Sequence, residues 1–354
     1  VRERNWLRLR EDASLRRNLE VRAKVLAGIR SFFAQKGFLE IDPPALVPLP
    51  GMEPHLIPFS TDLLDREGEG RRFFLHTSPE YALKKLLSAG LPRIYALGHA
   101  FRNGEISVTH NPEFTLLEWY RAGADYQALM EDCERLFMHL LEALGLGHGV
   151  PYQGRTLELK PPWPRIAVAE AMRRHAGVDL DACTGLEEFI AVARHKGYEE
   201  VDAGWPWEDV FYRIFLQEVE PNLPTASPFF LMDYPVEMGA LARPKPGAPR
   251  WAERFELYAG GLELANAFSE LTDAKEQGRR LRREQDQRVC TGQEHYPVDT
   301  SFLAALEKGM PPAAGIALGV DRLVMILVDA ADIREVLPFP AEDLIAEWEQ
   351  AYRH

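Results

Sequence analysis

The chain has 354 residues, 46% of them hydrophobic and 27% charged, the balance of a globular protein with one large domain or two ordinary ones. Its formal net charge of −13 argues against a protein that coats nucleic acid by charge alone, while leaving room for a local basic groove. Three well-separated cysteines, Cys133, Cys183 and Cys290, suggest neither a disulfide framework nor a metal knuckle.

The opening segment, VRERNWLRLRED, lacks the apolar core of a signal peptide. From Ser14 to Lys36, Leu15, Leu19, Val25, Leu26, Ile29, Phe32 and Phe33 recur at helical spacing, with Ser14 as the expected N-cap and Gly37 as the stop. FLEIDPPALVP reads as a strand broken by two prolines, confined to an edge or an irregular segment. FFLHTSPEYALKKLLSAG reads as strand, turn and helix. RIYALGHAFRN and EFTLLEWYRAG form a predicted antiparallel hairpin with a long polar tip, NGEISVTHNP. The helix YQALMEDCERLFMHLLEAL then runs to Gly145.

Residues 165–226 differ in texture: three short helical stretches separated by Pro and Gly predict a helical insertion within a single unit spanning 1–354. Strand signals return at FFLMDYP and RFELYAGGLELANAF, with ARPKPGAPR between them a loop by composition. A charged helix from Asp273 to about Arg288 follows, and AGIALGVDRLVMILV closes the chain's core as strand, glycine turn and buried helix. The apolar run LVMILV meets Asp329 long before it could span a bilayer, so no membrane contact and a cytoplasmic location are expected. Antiparallel strands with helices beside them make the fold class α+β.

No Walker loop, GxGxxG or HExxH occurs. What stands out is three separated elements that combine arginine and carboxylate. Each has a structural explanation: Arg102 pairing with Glu105 at the surface, Arg322 bracing a helix, Glu256 and Glu263 solvated on a strand. Glu118, an acid among hydrophobes in LLEWY, is costly to bury without a cation. The alternative is that it faces solvent on the alternating side of its strand.

In this order, FLEIDPP, FRN…HNPEFTLLEWY and GIALGVDRLVMIL resemble the three motifs of class II aminoacyl-tRNA synthetases, within the lysyl branch. TSPEY, YPVEMGALA and GGLELANAFSELTDAKEQ extend the resemblance over nearly the whole chain. It is most similar to the elongation factor P lysine ligase family, smaller relatives of lysyl-tRNA synthetase. The first motif helix begins after about a dozen residues, fewer than the roughly 50 a small domain needs, and only a short tail follows the third motif. No anticodon module and no tRNA partner are therefore expected. LEWYR, and Ala317 where lysyl synthetases usually carry glycine, point the same way.

The resemblance implies an antiparallel sheet flanked by helices, a homodimer, ATP and Mg2+. It implies that lysine or (R)-β-lysine becomes an acyl-adenylate and is passed to a lysine of elongation factor P. Arg102 would clamp the α-phosphate and the substrate carboxylate, and Arg322 the ATP tail, with Phe114 stacking on adenine. Glu105, His110 and Asn111 would complete the ATP site, with His110 a hydrogen-bonding residue and not a base. Glu256 and Glu263 would hold magnesium. Glu80, Glu118 and Glu270 would receive the two ammonium groups, with Ser78, Tyr120, Asn266 and Ala317 around the amino acid. Two departures stand out: Gly104 where the class pattern has glutamate, and no arginine before His110 in ISVTH. Rival readings are a truncated lysyl-tRNA synthetase and a non-catalytic paralogue. RRLRREQDQR is either a solvated helix face or a contact for an acidic partner.

Overall fold

In the computed structural model, which describes residues 3–183 and 185–352, two hairpins and one bridging strand build the centre of the sheet. Arg93–Phe101 pairs antiparallel with Glu113–Ala122, from Arg93 opposite Arg121 to Phe101 opposite Glu113. Ala248–Ala259 pairs with Leu262–Ser269 across Gly260 and Gly261, whose φ values of +59° and +86° are those a two-residue hairpin turn of this hand demands. Ala313–Gly319 lies between the hairpins, antiparallel to both neighbours. Leu39–Glu40 extends one edge in parallel; at the other, Phe229–Pro235 lies antiparallel to Ala248–Ala259 and Arg165–Ala167 adds a parallel outer strand, so the sheet is mainly antiparallel. The fold is α+β.

Alternation sends Trp119, Ile316, Ala267 and Phe255 to one face. There they pack with Phe33, Leu136, Phe137 and Val324 from the helices Ala13–Gln35, Tyr126–Leu144 and Val320–Val328. The opposite face is left for the site. Beyond Arg165–Ala167, the short helices Val168–Ala171, Leu186–His195 and Trp207–Ile214 enclose Phe189, Phe211 and Phe215 and rest on Phe229, Leu231 and Tyr258. Thr184, with which the second helical stretch of that segment begins in sequence, lies outside the described residues, as do Val1 and Arg2 of the opening segment.

Three local expectations are corrected. Asp12, not Ser14, is the N-cap of the first long helix, because its carboxylate accepts from Ser14 N and Leu15 N. ARPKPGAPR is not a plain loop: Pro244–Lys245 folds back on Ala248–Ala259 around Gly247, whose φ is +78°. FLEIDPPALVP yields two short strands, Leu39–Glu40 and Leu46–Val47, which pair in different sheets on either side of the prolines. No helix among the described residues is long and apolar enough to cross a membrane.

Candidate functional site

Residues opposed across a sheet share a face. One rung therefore carries Ala96, Glu118, Ala317, Asn266 and Glu256, and the next Ile94, Tyr120, Gly315, Phe268 and Arg254. Counting by twos would put Glu263 on the face opposite Asn266. A bulge between Leu257 and Tyr258 shifts the register so that Glu263 opposes Tyr258, and this returns it to the side of Glu256 and Asn266. Over these rungs lies a cavity of about 340 Å³. Every residue the sequence nominated lines it, except Glu256 and Glu270.

Glu270 lies just behind the wall. Gly315 lines the cavity, and a Cβ there would overlap both the Tyr120 ring and the Glu270 carboxylate, so only glycine lets this strand pass between them. Glu118 is buried at 1% exposure, which removes the solvent-facing alternative. Its carboxylate accepts from Ser78 Oγ and from Tyr120 OH at 3.1 Å. Burial, reinforced by the neighbouring Glu80, pushes its pKa up to about 8. Glu270 is also pushed up to about 8 by burial, against the pull of a cation that sequence reasoning missed, Lys84.

Lys84 Nζ lies 2.6 Å from Glu270 Oε2 and also pairs with Glu80 one helical turn back. It is 1% exposed and sits 5.1 Å from the centroid of the Phe268 ring. Burial works against its ammonium form, but Glu270 and Glu80 together outweigh that and raise its pKa. The Glu80–Lys84 spacing is a sequence signal for an i,i+4 pair. Its third member comes from a distant strand end and leaves no local trace.

At the other end, Arg102 stacks with its guanidinium 5.1 Å from the Phe114 ring centroid, and its buried Nε has no hydrogen-bond partner. No ion pair with Glu105 forms among the described residues, so the surface-pair explanation of Arg102 fails. Gly104 has φ +81°, a conformation glycine adopts without cost. The acid that follows it, Glu105, reaches the cavity wall. Arg322 donates to Glu263 O at 2.7 Å and Thr109 O at 3.2 Å, and meets His110 Nε2. It thus fastens the hairpin tip to the sheet. His110 Nδ1 lies 2.8 Å from Ser107 Oγ. Burial, then Arg322 and Arg102, lower the His110 pKa to about 4, so it is a neutral hydrogen-bonding ring at pH 7. Asn111 lines the cavity with its amide already committed, donating to Glu113 O at 2.6 Å and accepting from Ala341 N at 2.8 Å.

Glu263 faces the cavity, and burial, followed by repulsion from Glu256, raises its pKa to about 7. Two adjacent carboxylates that resist joint ionisation fit a hard divalent cation. Glu256 is the less free of the two, accepting from Tyr234 OH at 2.6 Å, Tyr258 OH at 3.0 Å and Arg254 Nη2 at 2.7 Å. Among the described residues no cluster of three or more metal-binding side chains forms. A cation here would complete its shell with substrate or water oxygen.

Residues 2–343 match the family of tRNA synthetases class II (D, K and N). The chain is 41% identical over 322 residues to a lysine–tRNA ligase of Moorella thermoacetica, covering 90% of this chain and 64% of that protein. It is 40% identical over 325 residues to a lysine–tRNA ligase of Pelotomaculum thermopropionicum (91% and 62%). With one of Dehalococcoides mccartyi the identity is 39% over 340 residues (95% and 66%). The chain spans just under two thirds of the length of these relatives.

Proposed function

The chain belongs to the class II tRNA synthetases (D, K and N), and from that premise we propose that it is an ATP-dependent ligase. It activates lysine or (R)-β-lysine as an acyl-adenylate and joins it to the side-chain amine of a lysine on elongation factor P. The observation that carries the reading is the clustering of Glu80, Glu118 and Glu270 at one end of the site whose other end holds Arg102 and Phe114. Buried carboxylates in that number call for ammonium groups.

The substrate carboxylate is itself the nucleophile. Its oxygen bonds to the α-phosphorus as the bond to pyrophosphate breaks, so no protein base is needed. That agrees with a neutral His110. The protein's task is alignment and charge stabilisation: Arg102 spans the carboxylate and α-phosphate, Phe114 stacks on adenine, and Arg322 holds the loop over the nucleotide tail. Magnesium on Glu263, with Glu256 behind it, would neutralise phosphate charge. In the second half the acceptor amine attacks the acyl carbon, the bond to AMP breaks, and the amine's proton passes to solvent.

A second reading, charging of tRNA with lysine, is favoured by the names of the relatives, which are lysine–tRNA ligases at 38–41% identity. Ala317 is where the readings part: its methyl lies between Glu118 and Asn266 on the floor of the site, where it reshapes the space beside the substrate backbone. The test has two stages. Lysine-dependent exchange of pyrophosphate into ATP should fall about a hundredfold or more in Arg102→Ala. The wild-type protein, given ATP and either lysine isomer, should then add one lysyl mass to elongation factor P. Esterified tRNA with an unmodified factor would establish the second reading instead.

A further inference from the structure

Among the described residues Lys84 is the one fully buried cation at the carboxylate end of the cavity, and nothing in the adenylation chemistry above uses it. It projects from the helix Glu80–Ser88 and touches Glu80 on its own helix and Glu270 beyond the strand Leu262–Ser269. Phe268 and Phe302 rings lie 5.1 and 5.9 Å from its Nζ. Glu118 and Tyr120 on the strand Glu113–Ala122 face the same cluster, and Glu80 is also felt by Tyr81 on its own helix, by Glu53 from the segment before and by Glu284 on the helix Ala274–Cys290. Two carboxylates pair directly with one internal cation, while the third, Glu118, accepts hydrogen bonds from two hydroxyls and feels Lys84 from farther off.

We propose that Lys84 is a positioning residue for amino acid selection: an internal cation that holds Glu80 and Glu270 in place, so that a substrate with two ammonium groups can draw two net negative charges from the site as it binds. This rests on the adenylating reading given above. Three glutamates so close in a water-poor site cannot all ionise unaided. With Lys84 present and both ammonium groups bound, the triad of Glu80, Glu270 and Lys84 carries one net negative charge and Glu118 carries the other. Without it, one carboxylate keeps its proton and the site matches a single ammonium group.

The test uses the full chain and lysine-dependent pyrophosphate exchange, with Lys84→Met as the first variant. KM for lysine should rise roughly a hundredfold at neutral pH, kcat should change by no more than a few-fold, and KM for ATP should stay unchanged. The pH profile of lysine KM should move to the alkaline side by about one unit, because Glu270 loses the cation that opposes its protonation. The double variant Lys84→Met/Glu270→Gln removes the unpaired charge and keeps the test valid if the single variant unfolds, read against Glu270→Gln alone, which keeps Lys84. It should melt near the wild-type temperature and bind lysine more weakly than Glu270→Gln. A double variant with the KM of Glu270→Gln would reduce Lys84 to a structural filler and overturn the inference, as would unchanged KM and pH profile in Lys84→Met. Absence of lysine-dependent exchange in the wild-type protein would overturn the adenylating reading itself and this inference with it.

Discussion

Glu118 concentrates the specificity argument in one side chain. It is held by Ser78 and Tyr120 and surrounded by the sheet, and its pKa of about 8 means that in the empty cavity it keeps its proton at neutral pH. An incoming ammonium group reverses that preference by supplying the missing charge. Glu118→Gln preserves shape while abolishing the charge. A hydrogen bond to a charged group is worth about 1.5–3 kcal/mol, so the variant's KM for lysine should rise ten- to a hundredfold. Norleucine, which lacks the side-chain amine, should fail in the wild-type protein by roughly ten-thousandfold. Both are read by amino-acid-dependent pyrophosphate exchange, and equal use of norleucine and lysine would remove the role assigned to the three glutamates. That Glu118 is buried was legible, because an acid among leucines and an aromatic on a core strand has few other places to go. Lys84 was not, because its meaning depends on a carboxylate 186 positions later, Glu270.

Elements converge on a single carboxylate at the start of the helix Val320–Val328. Asp321 accepts from Thr115 N at 2.8 Å and pairs with Arg22, which also donates to Thr115 Oγ1 at 2.6 Å. The first long helix, the second hairpin strand and the last core helix are thereby tied at one point. Asp321→Ala leaves Arg22 largely buried without its anion, and breaking a buried pair in this way costs about 3–5 kcal/mol. Denaturant unfolding should register that loss, with an unchanged slope if only the native state is affected. The hairpins, the long helices and the strand–glycine–helix closure could be read from periodicity because their apolar spacing is long and regular. The bulge that brings Glu263 round to Asn266 could not. It is a register choice, set by how Tyr258 and Leu264 settle in the core and not by residue type at the turn. The helix Ala341–Tyr352 also escaped notice, although Leu344, Ile345, Trp348 and Tyr352 recur at helical spacing; that stripe is exposed and not packed on the core.

On the scale of the whole molecule, three buried acids bear on the response to pH. Glu118, Glu270 and Glu284 are each pushed up to about 8, in every case first by burial. Each folded pKa therefore lies above the unfolded value of about 4.5. Between these limits the folded protein binds more protons than the unfolded chain, so stability falls as pH rises through that window. The slope can reach about 1.4 kcal/mol per pH unit for each carboxylate that stays protonated. Ligand-free protein should melt at a lower temperature near pH 8 than near pH 5, and saturating lysine should flatten the difference by giving Glu118 and Glu270 a partner. Melting curves at several pH values with and without lysine provide the check. A melting temperature that climbs from pH 5 to pH 8 without ligand would contradict the assignment of these acids.

The anchoring of the hairpin tip bears on the order in which the protein is completed as it is made. Asn111 meets Ala341 N, and Val108 O accepts from Ile333 N, so the loop over the nucleotide end of the cavity is fastened to residues translated more than 200 positions later. A nascent chain that stops short of Ile333 already contains every strand of the main sheet, Glu80, Glu118 and Glu270, and Arg322, which ties Thr109 and His110 of the tip to the sheet, yet lacks the two fastenings from Ile333 and Ala341. The tie between the hairpin tip and the sheet is therefore encoded before the tie between the tip and residues 333–341.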